Sequence, residues 1–162
     1  MRPLARLLTS LGFALLFTLP GCTRMDPIGA DLVALNAAGQ AAMASADVTL
    51  AMGKVQTAKT PAEKAAILRE SSLTVARAQA DLLKVEMKSN EVRDIQGRMA
   101  AGFGKLSAGA KAAADAFESA TLAEMEKARQ QMREGQMEFV AAGQQMVRLA
   151  KDRSIDLTKK TT

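Results

Sequence analysis

Residues 91–118 read EVRDIQGRMAAGFGKLSAGAKAAADAFE. Within them Val92, Ile95, Met99, Phe103, Leu106, Ala110, Ala113 and Phe117 recur at alternating steps of three and four. That spacing lays one apolar stripe along one face and predicts a helix over the whole segment. Carried forward, the stripe would fall on Glu124, Lys127 and Gln131, all polar, so a turn is expected near 119–121. Beyond it a new register begins. Met125, Met132, Phe139 and Met146 repeat every seven residues with Leu122 beside them, which predicts a helix over 122–153. Gly97, Gly102, Gly104 and Gly109 fall inside the first stripe, each costing about 1 kcal/mol relative to alanine in a helix. The stripe keeps its phase through them, so they mark close approach of a neighbouring helix.

The helix starts are written in capping residues. Asp26-Pro27 is an N-cap followed by proline at the first helical position. Thr60-Pro61-Ala62-Glu63 adds a capping box, and Thr121-Leu122-Ala123-Glu124 is a second one. Ser89 or Asn90 caps a fourth start, with Lys84 and Lys88 before it and Glu91 and Asp94 after it, as the helix dipole favours. These starts divide the chain into helices near 27–57, 61–88, 91–118 and 122–153. Similar lengths and short connections describe an all-α fold, an up-down antiparallel bundle of four helices. Leu82, Val85, Val92 and Met99 stay in phase across residue 89, so a three-helix alternative has one long helix over 61–118. The tetrapeptide AAGQ occurs at 37–40 and 141–144, which suggests a crossing of Gly39 on Gly143 between the first and last helices.

The N-terminus is of another kind. MRPLAR carries two arginines and no acid, and Leu7 to Leu19 is a thirteen-residue stretch without charge. A basic start and an apolar run too short to span a bilayer make a secretory signal peptide over 1–21. It ends in Leu19-Pro20-Gly21-Cys22, which holds the only cysteine of the chain. This tetrapeptide resembles the lipobox of bacterial lipoproteins. The resemblance implies cleavage between Gly21 and Cys22, a diacylglyceryl group on the Cys22 thiol and an acyl chain such as palmitate on its amino group. Thr23 resembles the sorting signal for the outer membrane, facing the periplasm. Residues 22–26 would then be a lipidated linker, 27–153 the bundle domain and 154–162 a basic tail.

Charge supports that division. The chain has 22 basic and 17 acidic residues, but Cys22 to Val147 is balanced. The excess of the mature chain lies in Arg148, Lys151, Arg153, Lys159 and Lys160, which an antiparallel bundle would return to the lipidated end as membrane-surface contacts. A basic tail on a neutral body speaks against nucleic acid as partner.

Catalytic chemistry lacks parts. There is no histidine, and in the lipoprotein reading the one thiol is consumed. Ser107 and Lys111 lie one turn apart with no pocket signal around them. GKLSAGAK at 104–111 misses a phosphate-binding loop, because Ala110 separates the second glycine from the lysine. Haem attachment and di-iron centres need histidines the chain does not have. Asp115 with Glu118 and Glu134 with Glu138 read as salt-bridged surface, and the methionines as core filling in place of a Cu(I) site. The sequence therefore points to no cofactor, no metal and no enzyme. It points to a membrane-anchored periplasmic module that binds or scaffolds an envelope protein, the alternative being a carrier of a lipid or other apolar ligand between helices.

Overall fold

The structure is a computed structural model, and it describes residues 26–119 and 121–158. Residues 1–21, Cys22, Lys159 and Lys160 lie outside the described residues. The elements are α1 (Pro27–Ala46), α2 (Val48–Thr57), α3 (Pro61–Leu83), α4 (Asn90–Ser119) and α5 (Leu122–Asp152), with no strand among the described residues. They make four antiparallel arms, because α1 and α2 are one arm broken at Asp47. The fold is an all-α bundle. In it α4 packs along both α3 and α5, while α1 lies against α3 with smaller contacts to α4 and α5, and α2 rests on α3.

The break at Asp47 departs from the single helix expected over 27–57. Asp47 sits in the left-handed region (φ 34°, ψ 49°), which closes α1, and its carboxylate accepts from the Leu50 amide at 3.2 Å, which opens α2. One residue ends one helix with its backbone and caps the next with its carboxylate. The two pieces are bonded unequally. Eight residues of α1 are buried, whereas α2 rests on the half-buried Val48, Ala51 and Val55.

The second arm is also shorter than expected. It ends at Leu83, not 88, and residues 84–89 turn the chain into α4. The in-phase apolar residues across this point share a core without sharing a helix: Leu82, Val92 and Met99 are all buried on the two sides of the turn. Gln96 seals the end of α3. Its buried amide donates to the carbonyls of Leu82 (2.8 Å) and Val85 (2.7 Å), satisfying acceptors that a helix end leaves orphaned. Arg93 donates to the Met87 carbonyl at 2.7 Å. Buried Asp31 of α1 accepts from the Ser89 amide at 2.6 Å, at the positive end of α4. There is no continuous helix over 61–118.

Caps decide the other ends. At α3 the Thr60 hydroxyl accepts from the Glu63 amide and Glu63 accepts from the Thr60 amide, both at 3.1 Å, so the expected capping box is formed. The amides of Thr60 and then Lys59 hold the Glu63 carboxyl below its ordinary 4.5. A lowered folded value means the carboxylate's contribution is complete above the unfolded pKa and is lost as pH falls through the folded one. Glu63→Gln should therefore remove part of the acid sensitivity below about pH 4.5, measured as urea midpoint against pH. The box expected at 121–124 is not made. Thr121 holds the N-cap position without a capping bond, its hydroxyl donates to the Ser119 carbonyl at 3.3 Å, and Glu124 accepts from Ser119 Oγ at 2.6 Å.

Buried side chains form two clusters. The larger joins Leu32, Leu35, Val75, Leu82, Val92, Ile95 and Phe103, and Phe103 meets Phe139 edge-on with centroids 4.9 Å apart. The smaller, toward the other end, is built on Ala65, Leu68, Ala113, Ala114 and Ala128. Between α4 and α5 the contact is backbone on backbone. A Cβ on Gly135 would stand 2.7 Å from the Gly102 carbonyl oxygen and 2.8 Å from the Leu106 amide nitrogen. One on Gly109 would stand 2.9 Å from the Met132 nitrogen. Of the four glycines expected to mark close approach, Gly102 and Gly109 do so against α5, Gly104 meets the Gln79 side chain of α3, and Gly97 does not, having nothing within 4 Å. The expected Gly39–Gly143 crossing is not made: a Cβ on Gly39 would meet Met99 Cε at 2.9 Å, and Gly143 faces open space. The reason is that α1 seats against α3 and α4, leaving little contact with α5.

Candidate functional site

The start of α1, the α3–α4 turn and the end of α5 meet at one end of the bundle. The helix α5 closes with Ser154 in the left-handed region (φ 54°), the Ser154 amide donating to the Lys151 carbonyl (3.0 Å) and the Ile155 amide to Ala150 (2.8 Å). This is a Schellman closure with serine where glycine is usual. It turns Ile155 and Leu157 back onto the larger core, and Asn36 Nδ2 donates to the Leu157 carbonyl at 3.0 Å. Residues 154–158, expected as part of a basic tail, are therefore packed against α1 in their apolar half. The alternation of Ile155 and Leu157 in SIDLT is the signal that could have shown it.

Arg153 ties this end together. Its guanidinium lies 3.4 Å from Asp26 and 3.6 Å from Glu91, joining the last turn of the bundle to the N-cap of α1 and the first turn of α4. All three groups are exposed, so the network is a positional marker and a small contributor to stability. The end of α5 stands beside residue 26, as an even number of arms requires. Of the cations expected at a membrane surface, Arg148 and Lys151 are exposed on α5, Arg153 is engaged by two carboxylates, and Lys159 and Lys160 lie outside the described residues, as do Gly21 and Cys22. A cleft of 410 Å³ beside them is lined by Glu91, Asp94, Gln145, Arg148, Asp152 and Arg153 with a single leucine, Leu149.

Elsewhere the residues singled out for chemistry are occupied structurally. The Ser107 hydroxyl donates to the Ser72 carbonyl at 2.9 Å and lies 3.1 Å from its hydroxyl, stitching α3 to α4 without Lys111. Asp115 (3.3 Å) and Glu118 (2.5 Å) both hold Arg69. That pairing lowers the Glu118 pKa and raises that of Arg69. Glu138 takes Lys105 at 2.7 Å, raising the lysine's pKa, and Glu134 accepts from Gln130 at 3.0 Å. Among the described residues no group of three or more His, Cys, Asp or Glu side chains is placed to hold a metal ion.

Two further clefts are described. One of 380 Å³ between α4 and α5 is lined by Ala112, Asp115, Ser119, Glu124, Lys127 and Gln131. The other, 130 Å³, lies under the α1–α2 break against Ile67, Glu70, Ser71 and Thr74. Neither combines an apolar lining with room for an acyl chain. No helix among the described residues is long and apolar enough to cross a membrane. What sequence reasoning missed is an apolar row on the outside of α5: Met137, Val140 and Val147 are 65, 48 and 55% exposed. Val140 and Val147 repeat every seven residues, but the core heptad of the same helix masks them. No protein-family model, curated protein or solved structure matches this chain.

Proposed function

We propose that this chain is a lipid-anchored protein of the bacterial envelope, a non-enzymatic helical module that holds or spaces a protein partner at the membrane surface. The observation that carries it is Leu19-Pro20-Gly21-Cys22 closing an uncharged run of thirteen residues behind two arginines. Three acyl chains at about 0.8 kcal/mol per buried methylene exceed by far the marginal grip of one. From Cys22 to Asp26 the chain reaches at most about 14 Å. The end of the bundle that holds Asp26, Glu91 and Arg153 therefore stays near the bilayer. Thr23 favours the outer membrane as the address. Clefts that are small or rimmed by charged side chains favour a protein partner over an apolar cargo.

Cys22→Ala should abolish incorporation of labelled palmitate and leave the precursor uncleaved. The measurement is metabolic labelling with membrane fractionation. A variant that still fractionates with membranes as mature protein would sink the anchor. Crosslinking in intact envelopes, followed by identification of the captured protein, tests the partner.

A further inference from the structure

We infer that the outward face of α5 is a membrane-contact surface that lies along anionic lipid once the anchor holds the bundle down; this rests on the lipid anchor proposed for Cys22. The helix packs on α4 through its small residues and on α1 to a lesser degree, which leaves its other side bare. On that side Met137, Val140 and Val147 are exposed at spacings of three and seven, one row along the helix. Arg133, Arg148 and Lys151 are exposed around the same row, and among the described residues none is in an ion pair. Of the nearby acids, Glu134 accepts from Gln130, Glu138 is taken by Lys105 on the α4 side and Glu126 pairs with Arg129, while Asp152 is exposed beside Lys151 at the edge of the row. An apolar row edged by free cations is the chemistry of a helix lying in the interface plane, its side chains in the headgroup and upper acyl region.

The tether selects lipid as the occupant. Arg153, in the residue after α5, is 3.4 Å from Asp26, so the lipidated cysteine is held at the C-terminal end of this helix. A bundle hinged there brings α5 down along its length by tilting alone. Each uncompensated cation multiplies attraction to an anionic surface by about fivefold at low salt, and the effect is screened within about a Debye length. An antiparallel copy centred near Val140 would set Arg129 against Lys151, which opposes self-pairing in that register.

The test uses the full chain, lipidated in cells and reconstituted into vesicles. With Cys22 acylated, a single added cysteine carries a fluorophore: Gln144→Cys on the outward face of α5, or Glu70→Cys on α3. Spin-labelled lipid should quench the label at 144 and not at 70 in vesicles containing phosphatidylglycerol. Raised salt, or phosphatidylcholine alone, should relieve it. The triple variant R133E/R148E/K151E should reduce the lipid-contacting fraction at least tenfold by the same charge arithmetic, with circular dichroism verifying its fold. An unquenched label at 144 on a chain that carries lipid would overturn the membrane face, leave the anchor standing and free this surface for an acidic protein. Absence of lipid on Cys22 would overturn the anchor instead, and with it the tether that lays α5 down.

Discussion

Gly135→Ala should destabilise the bundle by about 1–3 kcal/mol, the usual range for overpacking, while Gly97→Ala and Gly143→Ala should each stabilise it by up to about 1 kcal/mol. All three sit inside helices, so alanine improves intrinsic propensity in each. They differ in what the new methyl meets. At Gly135 it meets main chain, the Gly102 carbonyl and the Leu106 amide, which cannot rotate away as a side chain can. At Gly97 and Gly143 it meets nothing within 4 Å. Urea midpoints of the three variants decide the matter. A common sign for all three would mean that α4 and α5 do not touch at Gly102–Gly135. A larger residue at 135 should be worse still, and Gly135→Leu is expected to separate the two helices.

Phe103→Ala should cost about 3–5 kcal/mol, as for aromatic truncations in a closed core. Phe103 is wholly buried and is the largest side chain that is, among the described residues. It also stands edge-on to Phe139, a geometry worth about 0.5–1.5 kcal/mol beyond area. Its cluster mixes leucine, valine and isoleucine with small alanines, and flexible methionines such as Met99 and Met146 only partly refill a cavity. A domain of this size has about 5–15 kcal/mol in all. One substitution should thus move most of the unfolding transition to far lower denaturant. Leu122→Ala is the control, since Leu122 is 86% exposed and its loss should leave the midpoint in place. A double-mutant cycle with Phe139→Ala isolates the ring pair.

The fold was legible wherever periodicity and caps spoke together. Val92, Ile95, Met99 and Phe103 announced a helix face, and all four are buried. Thr60 and Glu63 announced a start, and the capping box is there. Breaks inside runs were harder to see. Asp47 is one letter between apolar residues, and its capping role emerges only when the preceding helix turns left-handed there. The end of α3 is sealed by Gln96, fourteen residues from Leu82, a partner that lies beyond a short local window. Gly39 and Gly143 shared a tetrapeptide but not a neighbour, because a repeat says nothing of which helices touch. The bundle end was foreseen from the parity of the arms. Its Arg153–Asp26–Glu91 network was not, since those residues lie far apart in sequence. The outward row on α5 went unread because one helix carried two seven-residue patterns and the core claimed the stronger.

The seam of Gly102, Gly109 and Gly135 works as a key in a slot. Two helices that meet through side chains can slide past one another by repacking them, and many conformational signals travel that way. Here the contact is made where only a hydrogen atom fits. Sliding α5 along α4 by one turn would bring Gln131 or Phe139 to the place of Gly135 and jam a side chain against main chain. The pair therefore has a single axial setting and moves as one rigid body. Displacement within the bundle falls to the other arm, where α2 leans chiefly on α3 and Asp47 is the joint.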